Sequence, residues 1–161
     1  MKKNFIPYVI ISFLLCLCLT LNSRAQSSIQ PNGLEMSDYK KLGLDIEIVS
    51  SYGTFLDLDK ERVHLKCMSK FGQPGIKLID PGQAEATLKV NISIEDFAYH
   101  VGLDFSRIVS YSVKKKGDFQ VNGITWNKSI TGTHQESAGI IMLALDELLD
   151  KFIEEYGKTN Q

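Results

Sequence analysis

The residues in this chain best equipped for chemistry are few and scattered. Its three histidines are His64, His100 and His134. No two of them lie two to four residues apart, the spacing at which one helix or strand presents a pair of imidazoles to a metal ion. His64 falls in a helical pattern, His100 near a turn and His134 in the first turn of a helix, so plain exposure is expected of all three. Cys67 recurs with Val63 and Phe71 at i, i+4 and i+8. That places the thiol on an apolar helix face, as a small core residue rather than a nucleophile. Asp57 with Asp59 and Glu154 with Glu155 read as helix caps and wet faces, and Glu95-Asp96 as the tip of a hairpin. There is no Gly-x-Ser-x-Gly elbow, no Walker loop and no Gly-x-Gly-x-x-Gly after a strand. The reading is therefore a non-enzyme, with no catalytic, cofactor-binding or metal-binding residue and no cofactor.

Lys114-Lys115-Lys116 is the one cationic run that could hold a phosphate or a lipid headgroup. Followed by Gly117-Asp118, it reads instead as a solvated turn tip, because three charges are few and no aromatic is interleaved with them.

The elements that would position these residues are organised around Leu88 to Val113. Leu88, Val90, Ile92 and Ile94 alternate with polar residues, and so do Val101, Leu103 and Phe105, continuing through Val109, Tyr111 and Val113. Period-two alternation is what a sheet with one buried and one wet face requires, and the pattern predicts a long antiparallel hairpin. Arg107 breaks the parity and suggests a bulge there. Before the hairpin, Leu42, Leu44, Ile46 and Ile48 predict a first strand. A helix capped at Asp57 or Asp59 follows, with Leu65 and Met68 widening its apolar stripe. Gly72 supplies its left-handed cap and Pro74 stops it. Gly75–Ile79 is a short strand, and Asp80-Pro81-Gly82-Gln83 is a turn.

After the hairpin, Phe119–Ile130 predicts a last strand, with Trp126 as a core anchor. Thr133 and Glu136 form a capping-box pattern. The helix behind it buries Ile141, Leu145, Leu148, Leu149, Phe152 and Tyr156 on one face and ends at Gly157. The acidic outer face of this helix does not suit a membrane surface. The fold class expected is α+β: a two-layer sandwich with a mostly antiparallel four-stranded sheet and two helices packed on one face. The helix between the first two strands makes a crossover, which allows those two strands to be parallel.

The N-terminus reads as an export signal. Lys2 and Lys3 precede an apolar run from Phe5 to Leu21, and Ser23-Arg24-Ala25 offers small residues at the two positions a signal peptidase inspects. Cys16 and Cys18 follow Leu15 and Leu17 rather than small residues, so they read as part of the signal and not as lipidation sites. The expected organisation is 1–25 signal peptide, cleaved after Ala25, 26–40 flexible leader, and 41–161 a single α+β domain. Cleavage takes Lys2, Lys3 and Arg24 from the 18 basic residues and none of the 19 acids, which leaves a net charge of −4. An acidic chain does not suit sequence-independent nucleic-acid binding. With only Cys67 left, no intramolecular disulfide can form, and stability must come from the core.

From Leu44 to Asn160 the chain resembles a family of small, exported, uncharacterised bacterial proteins. The resemblance rests on the order of Leu44-Asp45-Ile46-Glu47-Ile48, Val63-x-Leu65-Lys66, Gly75-Ile76-Lys77-Leu78, Ala86-Thr87-Leu88-Lys89-Val90-Asn91-Ile92, Tyr99, Thr125-Trp126, Gly132, Leu149-Asp150-Lys151-Phe152-Ile153-Glu154-Glu155-Tyr156 and Asn160. Gln73-Pro74 is an insertion relative to that pattern. The resemblance implies export and a β-α-β-β-β-α layout, and it carries no activity, cofactor or site residue.

Together these readings suggest a periplasmic or secreted binding or adaptor module of the cell envelope. Its partner would be an envelope protein, with no nucleic acid and no stable membrane insertion after signal cleavage. The expected contact surfaces are an exposed sheet edge and the uncovered sheet face carrying Lys89, Asn91, Ser93, Asp104 and Ser106. The alternatives are a small-ligand carrier with a site between sheet and helices near Trp126 and, behind it, a hydrolytic enzyme.

Overall fold

A computed structural model describes residues 33–51 and 57–160. The signal segment 1–25 and residues 26–32 lie outside the described residues. All described residues belong to the unit Pro31–Gln161. Its elements are β1 (Lys41–Ser50), α1 (Lys60–Gly72), β2 (Lys77–Ile79), a short 3₁₀ turn (Pro81–Gln83), β3 (Ala86–Glu95), β4 (Ala98–Val113), β5 (Gly117–Thr133) and α2 (Ala138–Asn160).

The fold is α+β, but the sheet has five strands rather than four, in the order β2-β1-β3-β4-β5, and it is mixed. β1 pairs in parallel with both β2 and β3, while β3–β4 and β4–β5 are antiparallel. The reason is that α1 returns the chain alongside β1 on one edge, and the turn after β2 lets β3 take the other edge of β1. Both neighbours of β1 therefore run parallel to it.

The alternation along the central hairpin is borne out as far as Phe105; Val109, Tyr111 and Val113 keep the same parity but are not buried, because β3 follows β4 only to Arg107. Leu88, Val90, Ile92 and Ile94 are buried, and across the ladder they stand opposite Phe105, Leu103, Val101 and Tyr99, also buried. Both helices cover this face. Val63, Cys67 and Phe71 of α1 meet the sheet, and so do Ile141, Leu145, Leu148, Leu149, Phe152 and Tyr156 of α2. Phe152 is the hub, with ring centroids 5.9 Å from Phe71, 5.8 Å from Phe105, 5.1 Å from Trp126 and 5.3 Å from Tyr156. Burying each of these large side chains stabilises the fold by about 1.5–3 kcal/mol. On the outside of the two helices, Asp146 bridges Lys66 at 2.7 Å and Lys70 at 3.1 Å, and Lys70 reaches Asp150 at 2.7 Å.

Several local expectations are corrected. Asp59 is the N-cap of α1, its carboxylate accepting from the Arg62 amide at 2.8 Å. Leu65 and Met68 do not widen the core stripe: they are 58% and 51% exposed, because α1 shows the sheet only the narrow line through Val63, Cys67 and Phe71. The left-handed cap is Gly75 (φ +75°), not Gly72. The Ile76 amide donates to Phe71 and the Gly75 amide to Gly72, the paired bonds of a Schellman motif. α2 runs past Gly157 to Asn160, whose amide donates to the Leu34 and Tyr156 carbonyls and accepts from the Met36 amide. These bonds give the last turn partners that the sequence pattern did not anticipate.

Those same bonds tie down part of the segment expected to be a flexible leader. Leu34 is fully buried in the core. Around it, Thr125 donates to the Gly33 carbonyl, Arg107 pairs with Glu35, and Ser37 bonds Glu85. Residues 33–37 thus form a strap across the end of α2.

The parity break lies between Phe105 and Ser106, with the extra residue on β5: Phe105 faces Trp126 and Ser106 faces Ile124, which leaves Thr125 unpaired. Ile124 and Trp126 therefore lie on opposite faces, and Ile124 is 60% exposed. Arg107 keeps core-side parity but sits at the core's end, where its guanidinium turns to Glu35.

Candidate functional site

The second face of the sheet is built from the polar half of the same alternation. No helix among the described residues packs on it. The register sets Asp45 beside Lys89, Asn91 beside Gly102, Asp104 beside Asn127, Gly102 beside Ser129 and His100 beside Thr131. Lys89, Asn91, Ser93, Asp104 and Ser106 share this face. Four of them are already engaged: Lys89 pairs with Glu47 at 2.6 Å, the Asn91 amide donates to Asp104 at 2.7 Å, and the Ser106 hydroxyl donates to the Thr87 carbonyl at 3.4 Å. The Glu47 carboxylate beside Lys89 raises the ammonium's pKa, and Lys89 in turn lowers that of Glu47.

At the centre of this face is a shallow depression of about 200 Å³, lined by Asn91, His100, Gly102, Asp104, Asn127, Lys128 and Ser129. Gly102 makes its floor. A Cβ there would stand 3.1 Å from Nε2 of His100, so the ring lies over the glycine. Nδ1 of His100 is 3.1 Å from the Thr131 hydroxyl. Four groups of this depression went unrecognised in the sequence: His100, which is the third residue of β4 rather than part of the turn before it, Gly102, Asn127 and Ser129. The signal was present in β4, because His100, Gly102 and Asp104 share the wet parity. The turn at Lys114–Asp118 made β5 the neighbour of β4, but only the register, with its slip at Thr125, sets Asn127 and Ser129 beside them.

Chemically, the depression offers unlike hydrogen-bonding groups: an imidazole, two carboxamides, a carboxylate and a hydroxyl. On this face the hydroxyl that meets a histidine is that of Thr131, at His100, while the Ser106 hydroxyl donates to a backbone carbonyl. The arrangement can recognise a polar surface or ligand.

The other reactive side chains are dispersed. His64 stands three residues before Cys67, but His64 is exposed while Cys67 is buried, and burial pushes the thiol up to about 12. His134 corrects its expected exposure. It is 2% exposed, with Nε2 bonded to the Asp96 carbonyl at 2.7 Å and Nδ1 accepting from the Glu136 amide at 3.0 Å. These two bonds hold the Nε2–H tautomer. They also replace the expected capping box, since Thr133 is still in β5 and the helix begins only at Ala138. Among the described residues, no three His, Cys, Asp or Glu side chains gather into a group that could hold a metal ion.

Trp126 is 8% exposed. Its indole N–H donates to Glu155 at 2.8 Å, and its ring packs edge-on against Phe152. Its contacts are those of an anchor. The Trp126 indole and Lys128 together lower the pKa of Glu155, Lys128 most strongly.

The fold and this surface define a class: an α+β two-layer sandwich whose helices cover one sheet face and leave a polar one open. No protein-family model matches the chain, and no curated protein matches it either.

Proposed function

We propose that this chain is an exported, non-enzymatic binding module of the cell envelope that engages a protein partner through the open sheet face. The observation that carries the reading is the polar depression over Gly102, where donors and acceptors from three strands converge. Export is inferred from Lys2, Lys3, the apolar run and the small-residue site ending at Ala25. Among the described residues, no helix is long and apolar enough to cross a membrane.

The test is a photocrosslinker at Ser93, beside the depression, in the mature protein within its native envelope. Crosslinked products are read by mass spectrometry. One recurrent partner is expected, lost when Gly102→Arg fills the depression, while a crosslinker at exposed Leu143 on α2 captures none. Equal capture from both positions, or capture unaffected by Gly102→Arg, removes the reading.

A further inference from the structure

We propose that the two-stranded ribbon formed by β4 and β5 beyond Arg107 docks onto a phospholipid surface bearing anionic headgroups. β3 follows β4 only as far as Arg107, opposite Ala86. Past that point β4 and β5 pair with each other alone, Ile108 opposite Asn122 through to Val113 opposite Gly117. Six residues at about 3.3 Å each carry the turn roughly 20 Å beyond the three-stranded part.

The ribbon is amphipathic, and among the described residues no helix packs on its apolar side. Val109, Tyr111 and Val113 face Val121, Phe119 and Gly117 on one side; Ser110, Ser112, Asp118, Gln120 and Asn122 lie on the other, with exposed Ile108 at its base. Tyr111, Phe119 and Val121 are 48%, 39% and 43% exposed. The Tyr111 and Phe119 rings stack with centroids 5.6 Å apart. Such a stack helps a lone hairpin persist, since two strands without further packing are marginal in water. It also leaves a rigid aromatic pair facing solvent.

At the tip stand Lys114, Lys115 and Lys116, in a turn with Lys115 at φ +72° and Gly117 at φ +92°. In the sequence no aromatic is interleaved with these lysines. In the fold, Tyr111 comes three residues before them and Phe119 three after, so the hairpin sets both rings directly beneath the charges. A cationic cap over an exposed aromatic and aliphatic band is the pairing that headgroup phosphates and the acyl boundary together recognise.

Charge settles the orientation and the occupant. From Ile108 to Gly123 there are three lysines against the single acid Asp118, whereas the rest of residues 26–161 carry 12 basic and 18 acidic residues. An anionic bilayer repels the body and attracts the tip. An uncharged apolar partner would leave the three lysines without counter-charge. The mode is peripheral, with the band at the headgroup level and the sandwich held off the surface. It is independent of the open-face reading, and either can fail without the other.

The test is co-sedimentation of the mature protein with phosphatidylcholine vesicles and with vesicles that also contain phosphatidylglycerol. Three proteins are compared: the wild type, the triple variant Lys114→Gln/Lys115→Gln/Lys116→Gln, and Tyr111→Ser/Phe119→Ser. The wild type is expected to bind only the anionic vesicles and to be released by salt. The triple variant should lose affinity by on the order of a hundredfold. The double serine variant should also lose binding, which a charge effect alone would not produce. Circular dichroism and the urea midpoint confirm that both variants keep the core, from which these side chains are remote. No binding to anionic vesicles overturns the proposal, as does binding that either variant leaves intact. Self-association that both variants abolish, without vesicle binding, overturns it in favour of a second copy of the chain.

Discussion

The strap formed by residues 33–37 makes a sharp prediction, centred on Gly33. Gly33 adopts φ +81°, and a Cβ added there would stand 2.2 Å from the Thr125 carbonyl oxygen. Gly33→Ala therefore carries two costs. The left-handed backbone costs an alanine about 1–3 kcal/mol, and the clash with backbone cannot be relieved by a side-chain rotation. The strap must move, which breaks the bond from the Thr125 hydroxyl to the Gly33 carbonyl and pulls on Leu34, fully buried one residue on. Emptying the Leu34 site by Leu34→Ala costs about 2–5 kcal/mol. We expect Gly33→Ala to cost about 3 kcal/mol, a large share of a stability of about 5–15 kcal/mol. Both substitutions release the same seat. The double variant should therefore fall short of the sum of the singles by on the order of 1–2 kcal/mol. The assay is urea unfolding followed by the fluorescence of Trp126, the only tryptophan, with circular dichroism in parallel because Trp126 adjoins Thr125. A Gly33→Ala midpoint within about 0.5 kcal/mol of wild type, or strict additivity, would refute the strap.

Further predictions follow from the corrected caps, the buried thiol and the helix–helix ion pairs. Gly75→Ala should cost about 1 kcal/mol because the residue is left-handed, whereas Gly72→Ala, with no positive φ and open space around it, should be neutral or slightly stabilising in the same urea assay. Cys67 should resist Ellman's reagent in the native protein at mildly alkaline pH and react fully once unfolded, since burial raises its pKa to about 12; rapid native labelling would contradict its place in the core. The hydrogen bonds and charges of Lys66 and Lys70 lower the pKa of Asp146 from its ordinary 3.8. That stabilisation is present above the ordinary value and lost as pH falls through the lowered one. Asp146→Asn should therefore cost under about 1 kcal/mol near neutrality, and its difference from wild type should shrink below pH 3.8. Unfolding midpoints at neutral and acid pH check the sign.

What the sequence determined by itself was periodic and local. Alternation in β3, and in β4 as far as Phe105, fixed which residues are buried, because side chains of a strand point to opposite faces in turn. The i, i+4 spacing along α1 and α2 picked out Cys67 and Phe152 for the same kind of reason. The wet face with Lys89, Asn91, Ser93 and Asp104 was legible as the complement of the buried one. What only the tertiary structure decided depended on contacts between distant segments. Parallel pairing on both sides of β1 depends on where α1 and β2 return the chain. Leu34 is an isolated leucine in a polar stretch, and only the end of α2, with Asn160, gives it a site. His134 lies at a strand end whose partner carbonyl, from Asp96, is 38 residues away. The depression over Gly102 needed β5 beside β4, and the aromatic pair under the three lysines needed Tyr111 opposite Phe119. One residue of slip at Thr125 decides which side chains of β5 share a face with Trp126; the sequence pattern signalled a parity break nearby, and only the pairing with β4 fixed its position.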